Sequence, residues 1–188
     1  MHNINPGAYE LNINIVIKTD LGDIGAELYP QKAPVTVANF LANIAAGLYE
    51  GGHFFRAASS DQTINDEKGE QVSIDVIEAG KAEWKQDRAP IIHENNRYSG
   101  LLNSRGVLSM SMIEPGTATS GFFINVSDNE ALDFQNETDG SAGKCGLAAF
   151  GLVISGMEVV HAIYRSPVGN RMLNDGEAKL IEEVREKN

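Results

Sequence analysis

The chain has 188 residues, of which 42% are hydrophobic, and this size and composition suit a single globular domain. Its 15 basic and 26 acidic residues give a net charge of −11, which argues against binding to nucleic acid or to an acidic membrane surface. The single cysteine, Cys145, excludes an intramolecular disulfide framework and a thiolate zinc cluster.

The first segment, residues 1–12, is predicted to be an N-terminal extension of one domain that covers residues 13–188. It contains Asn, Pro and Gly where a secretory signal would have a basic start and an apolar run. We therefore expect a cytoplasmic location, and the alternative is a mature exported form whose signal has been removed. The chain is also expected to be a monomer. No apolar stretch approaches the roughly 18–20 residues that cross a bilayer, so no membrane partner is expected.

Alternating apolar residues predict a β-hairpin formed by residues 13–19 and 24–28. Apolar residues spaced three and four apart after Pro34 predict an amphipathic helix that ends near Gly47. The pattern at residues 157–165 predicts a second helix, and residues 180–184 are a candidate closing strand. Five short apolar runs predict strands of an antiparallel sheet, at residues 53–58, 72–79, 107–112, 121–126 and 148–154. The predicted fold is a β-rich barrel flanked by two helices.

Two long polar segments, residues 80–102 and 128–147, separate the predicted strands. Loops of this length in a compact domain are often functional, but they can also be variable surface excursions. Both interpretations stay open at the level of sequence.

The common catalytic motifs are missing from the sequence. It has no Gly-x-Ser-x-Gly elbow and no Gly-x-Gly-x-x-Gly after a strand, and Gly143-Lys144 lacks the upstream glycine of a phosphate loop. The four histidines do not have the spacing that a zinc site requires. We therefore expect no metal and no nucleotide cofactor.

Three segments share a pattern with one known family: GHFFR at 52–56, GVLSMSM at 106–112 and SGFFI at 120–124. They closely resemble the signature strands of the cyclophilin-type peptidyl-prolyl isomerases. Further matches occur in the family's order at residues 18–22, 27–30, 33–40, 132–133, 150–151 and 156–160. The resemblance covers residues 13–163, and IHE at 92–94 with SGL at 99–101 is typical of the bacterial branch.

The resemblance implies a mainly β fold, a closed eight-stranded antiparallel barrel capped by two α-helices. It also implies cis–trans isomerisation of X-Pro bonds in peptides and unfolded protein clients. The uncatalysed barrier of about 18–20 kcal/mol comes from amide resonance, which is lost as the bond twists. An apolar slot for the proline ring and one hydrogen-bond donor meet this demand, so the resemblance implies no cofactor and no metal.

The resemblance also assigns roles to individual residues. Arg56 matches the catalytic arginine, and the structural alternative for it is a salt bridge at the barrel edge. Phe123 matches the floor of the proline pocket, whereas Phe122 beside it must face the opposite side of the strand and enter the core. Further binding positions are Val76, Leu132 and Leu147 in the pocket wall, and Ser111 and Met112 in the groove for the residues before proline. Core packing is the alternative for Phe123 and Met112.

Two glutamines that frame the arginine in the family are replaced here by Glu78 and Gly121. An ionised Glu78 can only accept hydrogen bonds and is expected to pair with Arg56, and Gly121 widens the groove. A family phenylalanine upstream of Glu78 is also lost, with Ile74 or Asp75 in its place. Two hypotheses follow: an isomerase of reduced efficiency, and a proline-peptide binding or chaperone-like module with little or no activity.

Overall fold

The computed structural model describes residues 12–59, 64–65, 71–136, 145–166, 168–169, 172–173 and 179–186. For residues 64–65 and 71–72, and for those after residue 166, only the backbone is described. Residues 1–11 of the predicted extension lie outside the described residues, as do parts of the second long polar segment.

Strands dominate the described part of the chain. They are β1 (Ile13–Thr19), β2 (Gly22–Leu28), β3 (Gly52–Ala58), β4 (Ile64–Asn65), β5 (Gln71–Val72), β6 (Val76–Gly80), β7 (Val107–Met110), β8 (Phe122–Asn125), β9 (Ala149–Ser155), β10 (Val168–Gly169), β11 (Met172–Leu173) and β12 (Lys179–Glu186). The helices are α1 (Pro34–Ala45), α2 (Asn96–Ser99) and α3 (Met157–Tyr164), with a 3₁₀ turn at Glu130–Leu132. Among the described residues, no helix is long and apolar enough to cross a membrane.

Ten of these strands form one antiparallel sheet in the order β10-β11-β3-β12-β1-β2-β9-β7-β8-β6, and β3 pairs with β6 as well. Strands β4 and β5 form a separate pair. The mainly β architecture with helices confirms the predicted class, and the described residues contain more strands and helices than the eight and two that were predicted. The additional strands β10 and β11 and the four-residue helix α2 are too short to give a periodic sequence signal.

The predicted strand at residues 72–79 is confirmed only in part. Val72 belongs to the separate β4–β5 pair, residues 73–75 belong to no strand, and β6 begins at Val76. By contrast, the predicted hairpin is confirmed, and β1 pairs with β2 from Ile13↔Leu28 to Thr19↔Gly22. The side chain of Thr19 stabilises the turn, since its hydroxyl donates to the Gly22 carbonyl at 2.8 Å.

The first helix packs an aromatic residue into the core of the sheet. The ring of Phe40 lies 5.0 Å from the rings of Tyr49 and Phe150 and 5.3 Å from that of Phe122. Pro34 is the first residue of α1, and proline suits this position because a backbone N–H there would have no partner in the helix. This helix therefore packs against residues of β8 and β9 in one apolar core.

The carboxylate of Glu94, which is distant in sequence, caps α1. The N-cap residue itself, Ala33, has no side chain that can accept a hydrogen bond. Glu94 accepts hydrogen bonds from the backbone nitrogens of Val35 at 3.1 Å and Thr36 at 2.7 Å, and from the Thr36 hydroxyl at 2.8 Å. These contacts satisfy two of the free N–H groups of the first turn and place a negative charge at the positive end of the helix dipole. They also attach the first long polar segment, residues 80–102, to α1.

Candidate active site

A pocket of about 100 Å³ lies beside β3, β6 and β8. It is lined by Arg56, Ile74, Val76, Glu78, Ser111, Met112, Phe123, Leu132 and Leu147. Eight of the nine site residues predicted from the sequence therefore lie together. The ninth, Gly121, is not in the lining but contacts the pocket wall through Ser111.

Arg56 reaches the rim of this pocket because of a β-bulge. Phe54 pairs with Ala79 and Arg56 with Glu78, so Phe55 is an extra residue in β3. In a regular strand Phe54 and Arg56 would share a face, but Phe54 is fully buried in the core and Arg56 lines the pocket. Bulges turn a side chain in this way, and no pattern in the sequence indicates this one.

The guanidinium of Arg56 is paired with Glu78, as the sequence predicts. Its Nη1 atom lies 2.8 Å from Oε2 of Glu78, and the two side chains are 27% and 16% exposed. A charge-assisted contact of this length is a strong hydrogen bond, and partial burial reduces its screening by water. Glu78 therefore holds the donor of the site in one orientation when no peptide is bound.

An apolar cluster separate from the main core forms the wall and floor of the pocket. It contains Val76, Ile74 and Phe123, with Leu132, Leu147, Ala58 and Ala131 packed around them. Phe122 belongs to the main core, so the predicted division between the two phenylalanines is confirmed. The arrangement provides an apolar surface beside a cationic donor.

Ile74, which the sequence left as an alternative to Asp75, is the residue that enters the pocket. Asp75 instead directs its carboxylate to hydroxyl groups of Ser127 and Tyr164, at 2.8 Å and 2.6 Å. Ile74 is thus the site residue that sequence reasoning did not assign. In the sequence, Ile74 is indicated only by its position upstream of Glu78, and Asp75 fits that position equally well.

Gly121 and Ser111 lie next to each other at the side of the pocket. The backbone nitrogen of Ser111 donates to the Gly121 carbonyl at 3.0 Å, and a Cβ atom at Gly121 would lie 3.2 Å from the Ser111 Cβ. The Ser111 hydroxyl is buried and has no hydrogen-bond partner within the described ranges. Met112 follows Ser111 and is half-buried at the pocket edge.

The two long polar segments contact each other through Asn96 and Asp133, and Asn103 lies just after the first segment. Asp133 accepts hydrogen bonds from Asn96 Nδ2 at 2.5 Å and from the backbone and side-chain nitrogens of Asn103, both at 2.8 Å. The carbonyl of Leu132 accepts from Asn103 Nδ2 at 3.1 Å and from the backbone nitrogen of Leu147 at 2.8 Å. Asn103 and the second segment therefore position two residues of the pocket wall, Leu132 and Leu147.

Among the described residues, no cluster of three or more His, Cys, Asp or Glu side chains could hold a metal ion. The chemistry that these residues offer consists of a hydrogen-bond donor, a carboxylate that orients it, and an apolar slot. An antiparallel sheet with such a slot and donor agrees with the resemblance of the sequence motifs to the cyclophilin class.

Comparison with known proteins gives the same class. Residues 14–184 match the family model described as cyclophilin type peptidyl-prolyl cis-trans isomerase/CLD. The chain therefore belongs to the cyclophilin-type peptidyl-prolyl cis-trans isomerase family, as the sequence motifs predict.

Three relatives illustrate the similarity. The peptidyl-prolyl cis-trans isomerase of Acinetobacter baylyi is 37% identical over 83% of this chain and 74% of its own length. Peptidyl-prolyl cis-trans isomerase B of Escherichia coli is 37% identical over 79% of this chain and 82% of its own length. A Cryptosporidium parvum cyclophilin-type isomerase, crystallised in the presence of the dipeptide Ala-Pro, superposes with a TM-score of 0.71 at 23% identity. That superposition covers 93% of this chain and 99% of the other.

Proposed function

We propose that this protein isomerises X-Pro bonds in peptides and in unfolded protein clients, with reduced efficiency. The observation that carries the proposal is the Arg56 guanidinium at the rim of an apolar pocket whose floor is Phe123. The pocket holds the proline ring, and Arg56 donates a hydrogen bond to the amide as it loses resonance. A donor that binds the twisted amide better than either planar form lowers the barrier without forming or breaking a covalent bond.

The substrate class follows from the chemistry of the pocket and from the charge of the chain. An apolar slot of about 100 Å³ suits a small ring, and the Ala-Pro dipeptide used with the Cryptosporidium parvum relative belongs to the same class of ligand. The net charge of −11 favours encounters with neutral or basic segments. Proline-containing segments of neutral or positive charge are therefore the proposed partners.

The reduced efficiency rests on Glu78 and Gly121. The carboxylate of Glu78 interacts with Arg56 at 2.8 Å, and part of this interaction is lost when the guanidinium turns towards a substrate amide. Gly121 offers no side chain to fix the peptide backbone. Both substitutions weaken stabilisation of the twisted amide more than they weaken burial of the proline ring.

The same ion pair favours a second candidate, a proline-peptide binding module with little or no activity. In that case Arg56 stays with Glu78 throughout, and only the apolar slot acts on the peptide. The two candidates differ in turnover and not in affinity, so one pair of measurements separates them.

We also propose that the sheet is the closed eight-stranded barrel of the family, with β10 and β11 as additions. Pairing of β3 with both β12 and β6 supports this interpretation. The cytoplasmic location and the monomeric state stay predictions.

The decisive experiment measures cis–trans exchange of a short Ala-Pro peptide by NMR for the parent chain, Arg56→Ala and Arg88→Ala. Arg88 is an exposed arginine outside the pocket, so its replacement matches the change in charge. We expect acceleration by the parent and by Arg88→Ala, a loss with Arg56→Ala, and similar peptide affinity in all three. Peptide binding by the parent without acceleration would establish the binding module instead.

A further inference from the structure

One pocket residue, Ile74, is followed by a residue that has several hydrogen bonds to distant parts of the chain. Ile74 lies in the irregular segment 73–75, where no strand pairing fixes its position. Its neighbour Asp75 provides the anchor. The side chain of Asn129 brackets the Asp75 backbone, because Oδ1 accepts from the Asp75 nitrogen at 2.9 Å and Nδ2 donates to the Asp75 carbonyl at 3.1 Å. The Val126 nitrogen donates to the same carbonyl at 2.8 Å.

Two hydroxyl groups fix the carboxylate of Asp75 as well. Its Oδ1 atom accepts a hydrogen bond from the Tyr164 hydroxyl at 2.6 Å, and its Oδ2 atom accepts one from the Ser127 hydroxyl at 2.8 Å. Tyr164 is the last residue of α3 and does not line the pocket. The helix is thus joined by a charge-assisted hydrogen bond to the residue between Ile74 and Val76, both of which line the pocket.

We propose that Tyr164 and Asp75 are positioning residues for the proline pocket. The hydrogen bond between them draws Asp75 towards α3, and this places the side chain of Ile74 against the apolar wall. The inference deepens the proposed function, since it rests on this pocket being the one that binds the proline ring. It concerns the binding of the ring and not the donor, because Ile74 belongs to the apolar cluster of the pocket, whereas the donor Arg56 is paired with Glu78.

This arrangement makes a specific prediction about affinity and turnover. Without the Tyr164 hydroxyl, Asp75 loses one of its fixed points and Ile74 spends less time in the position that contacts the ring. Peptide affinity therefore falls, whereas the guanidinium that acts on the twisting amide is unaffected. We expect KM and Kd to rise about fivefold, which is about 1 kcal/mol at 1.4 kcal/mol per factor of ten, with kcat unchanged.

The test compares Tyr164→Phe with Tyr98→Phe, a matched loss of one hydroxyl from a tyrosine that is 82% exposed. Calorimetry with an Ala-Pro peptide gives Kd independently of turnover, and NMR exchange gives kcat and KM. We expect the fivefold rise in Kd for Tyr164→Phe only. Equal Kd values for the parent and Tyr164→Phe would overturn the proposal.

A double-mutant cycle with Ile74→Ala separates positioning from general loss of stability. If Tyr164 acts through Ile74, adding Tyr164→Phe to Ile74→Ala changes Kd little, because the side chain being positioned is already gone. A full additional fivefold loss in that background would contradict the mechanism.

If Tyr164→Phe does not fold, Ser127→Ala replaces it, because this variant removes the other hydroxyl that donates to the Asp75 carboxylate. Its Kd is then compared in the same double-mutant cycle with Ile74→Ala. A parent chain that binds the peptide without isomerising it refutes the proposed activity but leaves the Kd comparison decisive. A parent chain that binds no proline peptide refutes both.

Discussion

Replacing Glu78 by glutamine tests the most informative departure from the family pattern. The substitution keeps the length of the side chain and its ability to accept from Arg56, but removes the charge. It therefore weakens the hold on the guanidinium without opening a cavity. We expect catalytic efficiency towards X-Pro peptides to increase.

The size of the increase can be worked out from the geometry of the pair. Exposed ion pairs contribute about 0.2–1 kcal/mol, and a charge-assisted hydrogen bond is roughly twice as strong as a neutral one. With Arg56 27% and Glu78 16% exposed and a separation of 2.8 Å, the pair lies near the upper end of that range. A difference of about 1 kcal/mol corresponds to a gain of up to about fivefold in kcat/KM.

The assay is protease-coupled or NMR exchange with short X-Pro peptides, and Glu83→Gln is the matched control. Glu83 is exposed and lies outside the pocket, so its replacement changes the net charge equally. We expect the control to behave as the parent chain. A fall in kcat/KM for Glu78→Gln would refute the reasoning, because it would mean that the carboxylate orients Arg56 productively.

Three further predictions follow from particular contacts. Glu94→Ala removes the cap of α1 and is expected to cost about 1–2 kcal/mol in denaturant unfolding; an equal free energy of unfolding would contradict the capping role. Burial raises the pKa of the Tyr49 hydroxyl well above its usual value, so the folded state keeps this proton longer than the unfolded state. Stability is therefore lost as pH rises above about 10, and Tyr49→Phe should flatten that decline in a series of melting curves; a parallel decline would show that other groups cause it. Gly121→Gln restores a side chain that can fix the peptide backbone, so kcat/KM is expected to rise, but the new Cβ atom would lie 3.2 Å from the Ser111 Cβ. The rise is therefore expected to be larger in a Ser111→Gly background, and equal rises in both backgrounds would exclude crowding.

The regular strands could be predicted because their apolar residues alternate along the chain. In β1 the buried residues alternate with less buried ones, and this strand pairs with β2 at seven successive positions. The strand predicted at residues 72–79 had a similar apolar run, but Asn129 competes for the backbone groups of Asp75 that a continuous strand would pair with its neighbours. A side chain that lies 54 residues away in sequence leaves no local signal.

The site residues could be found through the family motifs, but their geometry could not. Motifs placed Arg56 and Phe123 near a proline pocket, whereas alternation alone puts Arg56 on the core face with Phe54. The bulge at Phe55 resolves this conflict. The choice between Ile74 and Asp75 likewise depends on hydroxyl groups of Ser127 and Tyr164, which come from distant parts of the chain.

Glu78 has a larger influence on this site than its identity as one replaced glutamine suggests. Strand β6 lies between β3 and β8, and Glu78 pairs with Arg56 on one side and with Phe123 on the other. The donor, the carboxylate and the floor of the pocket therefore form one row across three strands, at the spacing where neighbouring side chains interact. A change at Glu78 alters the orientation of the donor directly, and it also changes the polarity beside the ring that binds proline. This position consequently adjusts turnover and affinity together, whereas Tyr164 is expected to change affinity alone.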